Sequence, residues 1–154
     1  MRQKVVVFSQ IDSIILQKLK DRYEVACIDP KVGDVNQQIL KEVTDADGMI
    51  GAGRLLNESN LQSAKQLKVI STVSVGYDNY DLNYLNQQKI WLANTPHVLT
   101  ETTADLAFTL LMSAARKVPH LDSWTKQGFW KRTVGSAQFG LDIYGKNLGI
   151  IGLG

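Results

Sequence analysis

KVISTVSVGYDNYDLNYLNQQKIWLAN, residues 68–94, sets two short apolar runs on either side of a helical one. KVISTV (68–73) is β-branched and reads as a strand, DLNYLNQQ (81–88) reads as a helix, and KIWLAN (89–94) reads as a strand stopped by Thr95-Pro96. The same alternation runs upstream. KVVVF (4–8) and YEVACI (23–28) read as strands, the second closed by Asp29-Pro30, and between them Ile11, Ile14, Ile15 and Leu19 recur at helical spacing. A further helical stretch buries Ile39, Leu40 and Val43 and ends near Asp45–Gly48; GMIGA (48–52) is a third strand and LQSAKQL (61–67) another helix. Five short strands alternating with helices predict an α/β domain with a parallel five-stranded sheet covered on both faces. Right-handed crossovers make it doubly wound.

After Pro96 the rhythm changes. Thr100 to Val118 is one long helix candidate, with Thr100 as N-cap, Glu101 in its first turn, Arg116 and Lys117 at its end and Pro119 as its stop. Ala104, Ala107, Phe108, Leu111, Ala115 and Val118 form its apolar stripe, widened by Leu106 and Leu110, which is too broad for a solvent-bridging helix. A polar segment with Trp124, Phe129, Trp130, Phe139 and Tyr144 follows, and LGIIG then opens a new strand. This shift in rhythm puts a domain boundary near 97–100.

Composition places few demands on partners. Hydrophobic residues make up 44% and charged residues 21%, and 17 basic against 15 acidic residues leave a net charge of +2 without any block of like charge. Neither nucleic acid nor a membrane surface is expected as a partner. The apolar run Val5–Phe8 is too short for a signal sequence, and no 18-residue apolar span follows. The single cysteine, Cys27, excludes an internal disulfide and is expected to be a buried thiol. A cytoplasmic protein is the expectation.

Two places put G-x-G after a strand, Gly51–Gly53 and Gly152–Gly154. The dinucleotide fingerprint needs a third glycine three residues on. The first copy has Leu56 there, with Asn57–Ser59 reading as loop or helix cap; the second copy ends before that position, so a glycine-rich tail is its alternative. STVSVGYDNYDL (71–82) lies where strands of an α/β sheet end, the usual ligand crevice. Gly76 permits a tight turn whose amides near Val75 and Gly76 could form an anion-binding concavity. An ordinary loop with Asp78 or Asp81 capping the next helix fits the spacing equally well. His97 and His120 each follow a proline and have no carboxylate at a spacing that makes an acid–base pair; two scattered histidines are no metal-ligand set. Trp124 and Trp130 are expected to pack between bodies or chains. The strand order is flavodoxin-like, but two functions housed on such sheets fail at the residue level. A phospho-receiver needs acids after the first and third strands and a lysine after the fifth, where this chain has Ser9-Gln10, Gly51-Ala52-Gly53 and Asn94. A flavodoxin needs a hydroxyl-rich phosphate loop where this chain has SQIDS.

Three stretches carry a resemblance: STVSVGYDNYDL, NTPHVLTETTADLAFTLLMSAARKV and FGLDIYGKNLGIIGLG. Together they resemble the N-terminal half of a D-2-hydroxyacid dehydrogenase, of the branch of glyoxylate/hydroxypyruvate and 2-ketogluconate reductases. The most specific stretch runs from Asn94-Thr95-Pro96 to Thr103-Ala104-Asp105, within which His97 replaces a glycine or small residue. The resemblance implies a substrate-binding domain over 1–98, which the chain's last helix returns to complete, then a linker helix over 99–118, a dimerisation arm over 119–145, and over 146–154 the first strand of a Rossmann domain cut short. It implies hydride transfer between NAD or NADP and a small 2-keto acid, giving a D-2-hydroxy acid, in a homodimer. Val75 and Gly76 would receive the substrate carboxylate, with Tyr77 and Asp78 in the same loop and Arg54 nearby. Thr103 would face the nicotinamide, and Gly152 and Gly154 would be the first two glycines of the cofactor loop. The family's catalytic arginine, glutamate and histidine would lie beyond Gly154, and neither His97 nor His120 matches that histidine. The chain alone is therefore expected to be inactive. The alternative is a non-catalytic binding or dimerisation module, or a relic.

Overall fold

The sheet is built of short strands: β1 Lys4–Val7, β2 Glu24–Cys27, β3 Gly48–Gly51, β4 Val69–Thr72 and β5 Trp91–Ala93. In the computed structural model, which describes residues 2–152, these pair in the order β2-β1-β3-β4-β5, every neighbour parallel. The order reverses between β1 and β3, the switch point at which sheets of this kind open a crevice. The chain divides into two compact units, one running to Val98 and the other starting at Leu99.

The first unit's helices are α1 Ser13–Arg22, α2 Val35–Glu42, α3 Glu58–Leu61 and α4 Leu82–Gln88. Each begins at an Asx residue whose side-chain oxygen accepts a backbone amide of the first turn: Asp12, Asp34, Asn57 and Asp81. Such caps satisfy donors that the helix itself leaves unpaired. Alternate strand residues Val6, Phe8, Met49 and Ile70 face one side and bury against Ile39, Val43, Leu61, Leu67, Leu85 and Ile90. The opposite face is less covered than expected. Its Val5, Ile50, Val69 and Ser71 line an open hollow with Leu19 and Tyr23 from the end of α1. Val69 is 40% and Trp91 79% exposed. Period-two alternation sends half of each strand to this face, and α1 is too short and too polar to cover it; Ile14 and Ile15 of α1 are themselves exposed.

An ion-pair cluster ties the amino ends of the strands together. Lys4 Nζ meets Glu42 Oε2 at 2.9 Å and also Asp45, and Asp47 accepts from the Lys4 amide and from Lys68 Nζ at 2.8 Å. Burial alone would lower the Lys4 pKa, but the hydrogen bonds to Asp45 and Glu42 outweigh it and the pKa rises. The Lys4 hydrogen bond lowers the pKa of Asp45, and the Lys68 bond lowers that of Asp47.

Several local expectations are corrected. Cys27 is exposed, because β2 is an edge strand and Cys27 ends it. The helix expected over 61–67 lies at Glu58–Leu61. A reciprocal cap between Asn57 and Asn60 starts it earlier, and tight turns at Leu61–Leu67 replace its end. The long helix is two: α5 Thr100–Ala115 and α6 Val118–Lys126. Lys117 takes the left-handed conformation (φ 55°) between them, and Pro119 sits in the first turn of α6, where its missing amide costs nothing. Leu99, without a side-chain hydrogen bond, occupies the cap position assigned to Thr100. Leu106, Phe108 and Leu110 of α5 are exposed. Residues 148–152 form no strand, because no segment among the described residues pairs with them. No helix among the described residues is long and apolar enough to cross a membrane.

Two outcomes follow. The stabilising pairs of Asp45 and Asp47 are complete above the ordinary carboxylate range and lost as pH falls through and below it; that of Lys4 is complete below the ordinary lysine range and lost as pH rises above it. Stability against pH, followed by urea denaturation, should fall at both ends, and Lys4→Met should flatten both limbs. At Gly140 an added Cβ would stand 2.5 Å from the Ala115 carbonyl oxygen and 2.6 Å from Arg116 Cα. Gly140→Ala should destabilise the second unit by about 1–3 kcal/mol, read from the tryptophan fluorescence of urea unfolding.

Candidate functional site

The carboxyl ends of β3 and β4 are tied by three backbone hydrogen bonds. Val73 N donates to Gly51 O at 2.9 Å, Leu56 N to Asn79 O at 2.8 Å and Asp81 N to Leu56 O at 3.1 Å. They hold the segment after β4 against the one after β3. Within the β4 segment, every carbonyl from Ser74 to Tyr77 is occupied. Ser74 O accepts from Thr95 N at 3.0 Å, Val75 O from Asn94 Nδ2 at 2.9 Å, Gly76 O from Ser74 Oγ at 2.6 Å and Tyr77 O from Tyr80 N at 3.1 Å. The amides of Val75, Gly76, Tyr77 and Asp78 donate to nothing among the described residues, and all four residues are exposed. Backbone donors left unpaired beside satisfied acceptors favour an anion. Asp78 adds a negative charge to the same loop, its Oδ2 3.7 Å from where a Gly76 Cβ would stand. An anion here must therefore be held by short, directed amide bonds.

Of the two capping alternatives, Asp81 is the cap: its side chain accepts from Tyr84 N at 3.0 Å, which leaves Asp78 free of that role. Tyr77 and Asn94 border a hollow of about 680 Å³ with Leu82, Lys89, Trp91 and Leu92. Arg54 is half-buried on the segment after β3 and lines a different hollow, of about 600 Å³, with Ser9, Gln10, Cys27, Asp29 and Lys31 at the switch point. Its guanidinium makes no ion pair among the described residues. Thr103 is exposed on α5 in the second unit. Gly152 has φ +78°, the left-handed conformation of a glycine turn, and Gly154 lies outside the described residues. His97 also has a positive φ, 66°, and His120 lies in the first turn of α6. Among the described residues no three metal-ligating side chains cluster.

Sequence reasoning missed Ser74, Asn94 and Thr95 as parts of this loop. The available signal was position: Asn94 and Thr95 directly follow β5, which pairs with β4 in the register Ser71↔Ala93.

The profile of the D-isomer specific 2-hydroxyacid dehydrogenase catalytic domain matches residues 5–142. The chain belongs to this family. It is 38% identical, over all 154 residues, to the glyoxylate/hydroxypyruvate reductase B of Yersinia pestis, and covers 47% of that protein. It is similar to the crystal structure of an NADPH-dependent glyoxylate/hydroxypyruvate reductase from Sinorhizobium meliloti in complex with NADP and malonate. That match has 28% identity, a TM-score of 0.79, all of this chain and 47% of the other. A D-isomer specific 2-hydroxyacid dehydrogenase structure from Polaromonas shares the fold at a TM-score of 0.83 and 24% identity, over all of this chain and 49% of that one. The chain spans about half the length of the curated relatives it matches. Members of this family are oxidoreductases. The described residues supply one glycine of a G-x-G turn, with no strand before it. One glycine turn is not by itself a dinucleotide site, which needs a helix N-terminus and its free amides for the phosphates.

Behind the loop, Tyr80 is buried and its hydroxyl has no hydrogen-bond partner among the described residues. Burial pushes its pKa up, offset in part by the Thr72 hydroxyl, which approaches without reaching hydrogen-bond geometry. Removing an unpaired buried hydroxyl relieves its desolvation cost. Tyr80→Phe should keep stability unchanged or raise it by about 1 kcal/mol in urea denaturation, where a loss of that size would show a hidden partner.

Proposed function

We propose that the chain is the substrate-side part of an NAD(P)-dependent reductase that converts small 2-keto acids into D-2-hydroxy acids. The observation that carries this is the 74–78 loop, with the carbonyls of Ser74 to Tyr77 engaged and the successive amides of Val75 to Asp78 free. A 2-keto acid always offers a carboxylate, so a site of directed donors can hold any member of the class by the group they share. In this reading Val75 and Gly76 bind the carboxylate, and Tyr77 and Asp78 border the rest of the substrate. Arg54 serves as a cation in the adjoining hollow. The unit up to Val98 is the substrate domain, α5 is the linker helix that brings Thr103 to the nicotinamide, and Gly152 and Gly154 begin the cofactor loop. Glyoxylate and hydroxypyruvate, the substrates named for the Yersinia and Sinorhizobium proteins, are the first candidates, with 2-ketoaldonates next. In this reading the acid that protonates the keto oxygen, and most of the NAD or NADP site, come from the part of the relatives' length that these 154 residues do not span. We place the protein in the cytoplasm. The exposed Phe129, Trp130, Phe139 and Tyr144 support pairing of two copies through the 119–145 arm.

A chimaera tests the reading. Residues 1–152 joined to the remainder of the Yersinia pestis reductase should oxidise NADPH or NADH when given glyoxylate or hydroxypyruvate. A folded chimaera that binds the cofactor yet turns over neither acid would sink it.

A further inference from the structure

The groups that turn the amides of Val75, Gly76 and Tyr77 outward can be assigned one peptide at a time. A trans peptide is planar, with its C=O and the next residue's N–H pointing opposite ways. Holding the oxygen therefore aims the amide. Thr95 N holds the Ser74–Val75 peptide and so aims the Val75 amide; Asn94 Nδ2 holds the Val75–Gly76 peptide and aims the Gly76 amide. Ser74 Oγ holds the Gly76–Tyr77 peptide and aims the Tyr77 amide. A hydroxyl has one proton. Since Ser74 Oγ gives its proton to Gly76 O, the 2.7 Å contact between Thr72 Oγ1 and Ser74 Oγ has Thr72 as donor. Thr72 is 1% exposed, so the Ser74 hydroxyl is held in turn by a buried group.

We propose that Asn94 is a positioning residue for carboxylate recognition: its side-chain amide pins the Val75 oxygen and thereby aims the Gly76 N–H at the bound carboxylate. This rests on the reading of the 74–78 loop as the carboxylate site. Asn94 suits the role because it is a donor of fixed length at the end of a strand, and because it is neutral. An aspartate there would set oxygen against the Val75 oxygen and add a second negative charge beside Asp78. An alanine would free the Val75–Gly76 peptide to turn over, so that a carbonyl faced the anion where an amide had been. The Val75 amide does not share this dependence, since a backbone group, Thr95 N, aims it.

The test is an amide-resolved titration of the ¹⁵N-labelled 154-residue chain with oxalate and with glyoxylate. In the unsubstituted chain the Val75 and Gly76 signals should move together with added anion. Asn94→Asp and Asn94→Ala should weaken binding about tenfold and abolish the Gly76 shift while the Val75 shift persists at higher ligand. Asn94→Ser, which keeps a donor, should recover part of the affinity. A merely structural role would instead disturb amides throughout β1–β4 and lose both shifts together. Ser74→Ala is the second variant, expected to silence Tyr77 and spare Gly76; it and Asn94→Ser decide the matter if the other two do not fold. If the unsubstituted chain responds but the Asn94 variants bind equally and keep the Gly76 shift, the positioning role is overturned and the carboxylate reading stands. If neither anion moves any of these amides, both fall.

Discussion

The pairing of β5 with β4 is the constraint on which the candidate site depends. Register is the reason. With Ile70 opposite Leu92 and Ser71 opposite Ala93, the residues that follow β5 emerge beside those that follow β4. Asn94 and Thr95 then reach the carbonyls of Val75 and Ser74 without any further loop having to fold over them. A slip of one residue would turn the β5 side chains to the opposite face and carry Asn94 away from the loop. Three features protect the register. Leu92 packs against the core on one side, Ile90 is buried just before the strand, and Lys89, in the left-handed conformation, ends α4 so that Ile90 N can bond Leu85 O. The helix cap, the strand register and the anion loop are thus one continuous piece of geometry.

The fold was legible in the sequence to an unusual depth because its signals are local. Strands of β-branched residues, Asx caps and the stop at Asp29-Pro30 all act within a few residues, and each strand appears within two residues of its expected bounds. What escaped prediction was set by neighbours in space. Cys27 sits in an apolar run that looks buried, yet its strand lies at the sheet edge, and edge position is a property of strand order. Pro119 looks like a helix stop, but a proline is equally at home in a first turn; Lys117 decided between these by taking a positive φ. The expected strand at 148–152 failed for the same kind of reason, since apolar residues become a strand only where another strand accepts their hydrogen bonds.

The site divides along the same line. Val75 and Gly76 stand out because the loop follows a strand of a parallel sheet and contains a glycine, and the resemblance adds Tyr77 and Asp78. Spacing leaves an anion concavity and an ordinary capped loop as equal alternatives, because neither the direction of side-chain hydrogen bonds nor a contact from far along the chain is visible in it. Asp81 caps α4, Tyr80 N closes the turn on Tyr77 O, and Asn94 reaches back nineteen positions. Arg54, which the resemblance puts near the substrate, lines another hollow. Charge is visible in a sequence at once, whereas the direction of a peptide amide is visible only in the fold.

That difference bears on selectivity. A cationic side chain would attract any anion and would be screened by salt. A row of fixed amides holds only an anion whose oxygens fit their spacing, and Asp78 raises the requirement by repelling anions that do not fit. Here the donors belong to the backbone, so substitution of Val75 or Tyr77 alters the shape beside the anion without removing the hydrogen bonds. The groups that can be lost are the ones that hold the carbonyls behind them, the side chains of Asn94 and Ser74. On the proposed reading, affinity for a carboxylate would rest on residues in the supporting layer, and the exposed side chains of Val75 and Tyr77 would be left free to discriminate among keto acids.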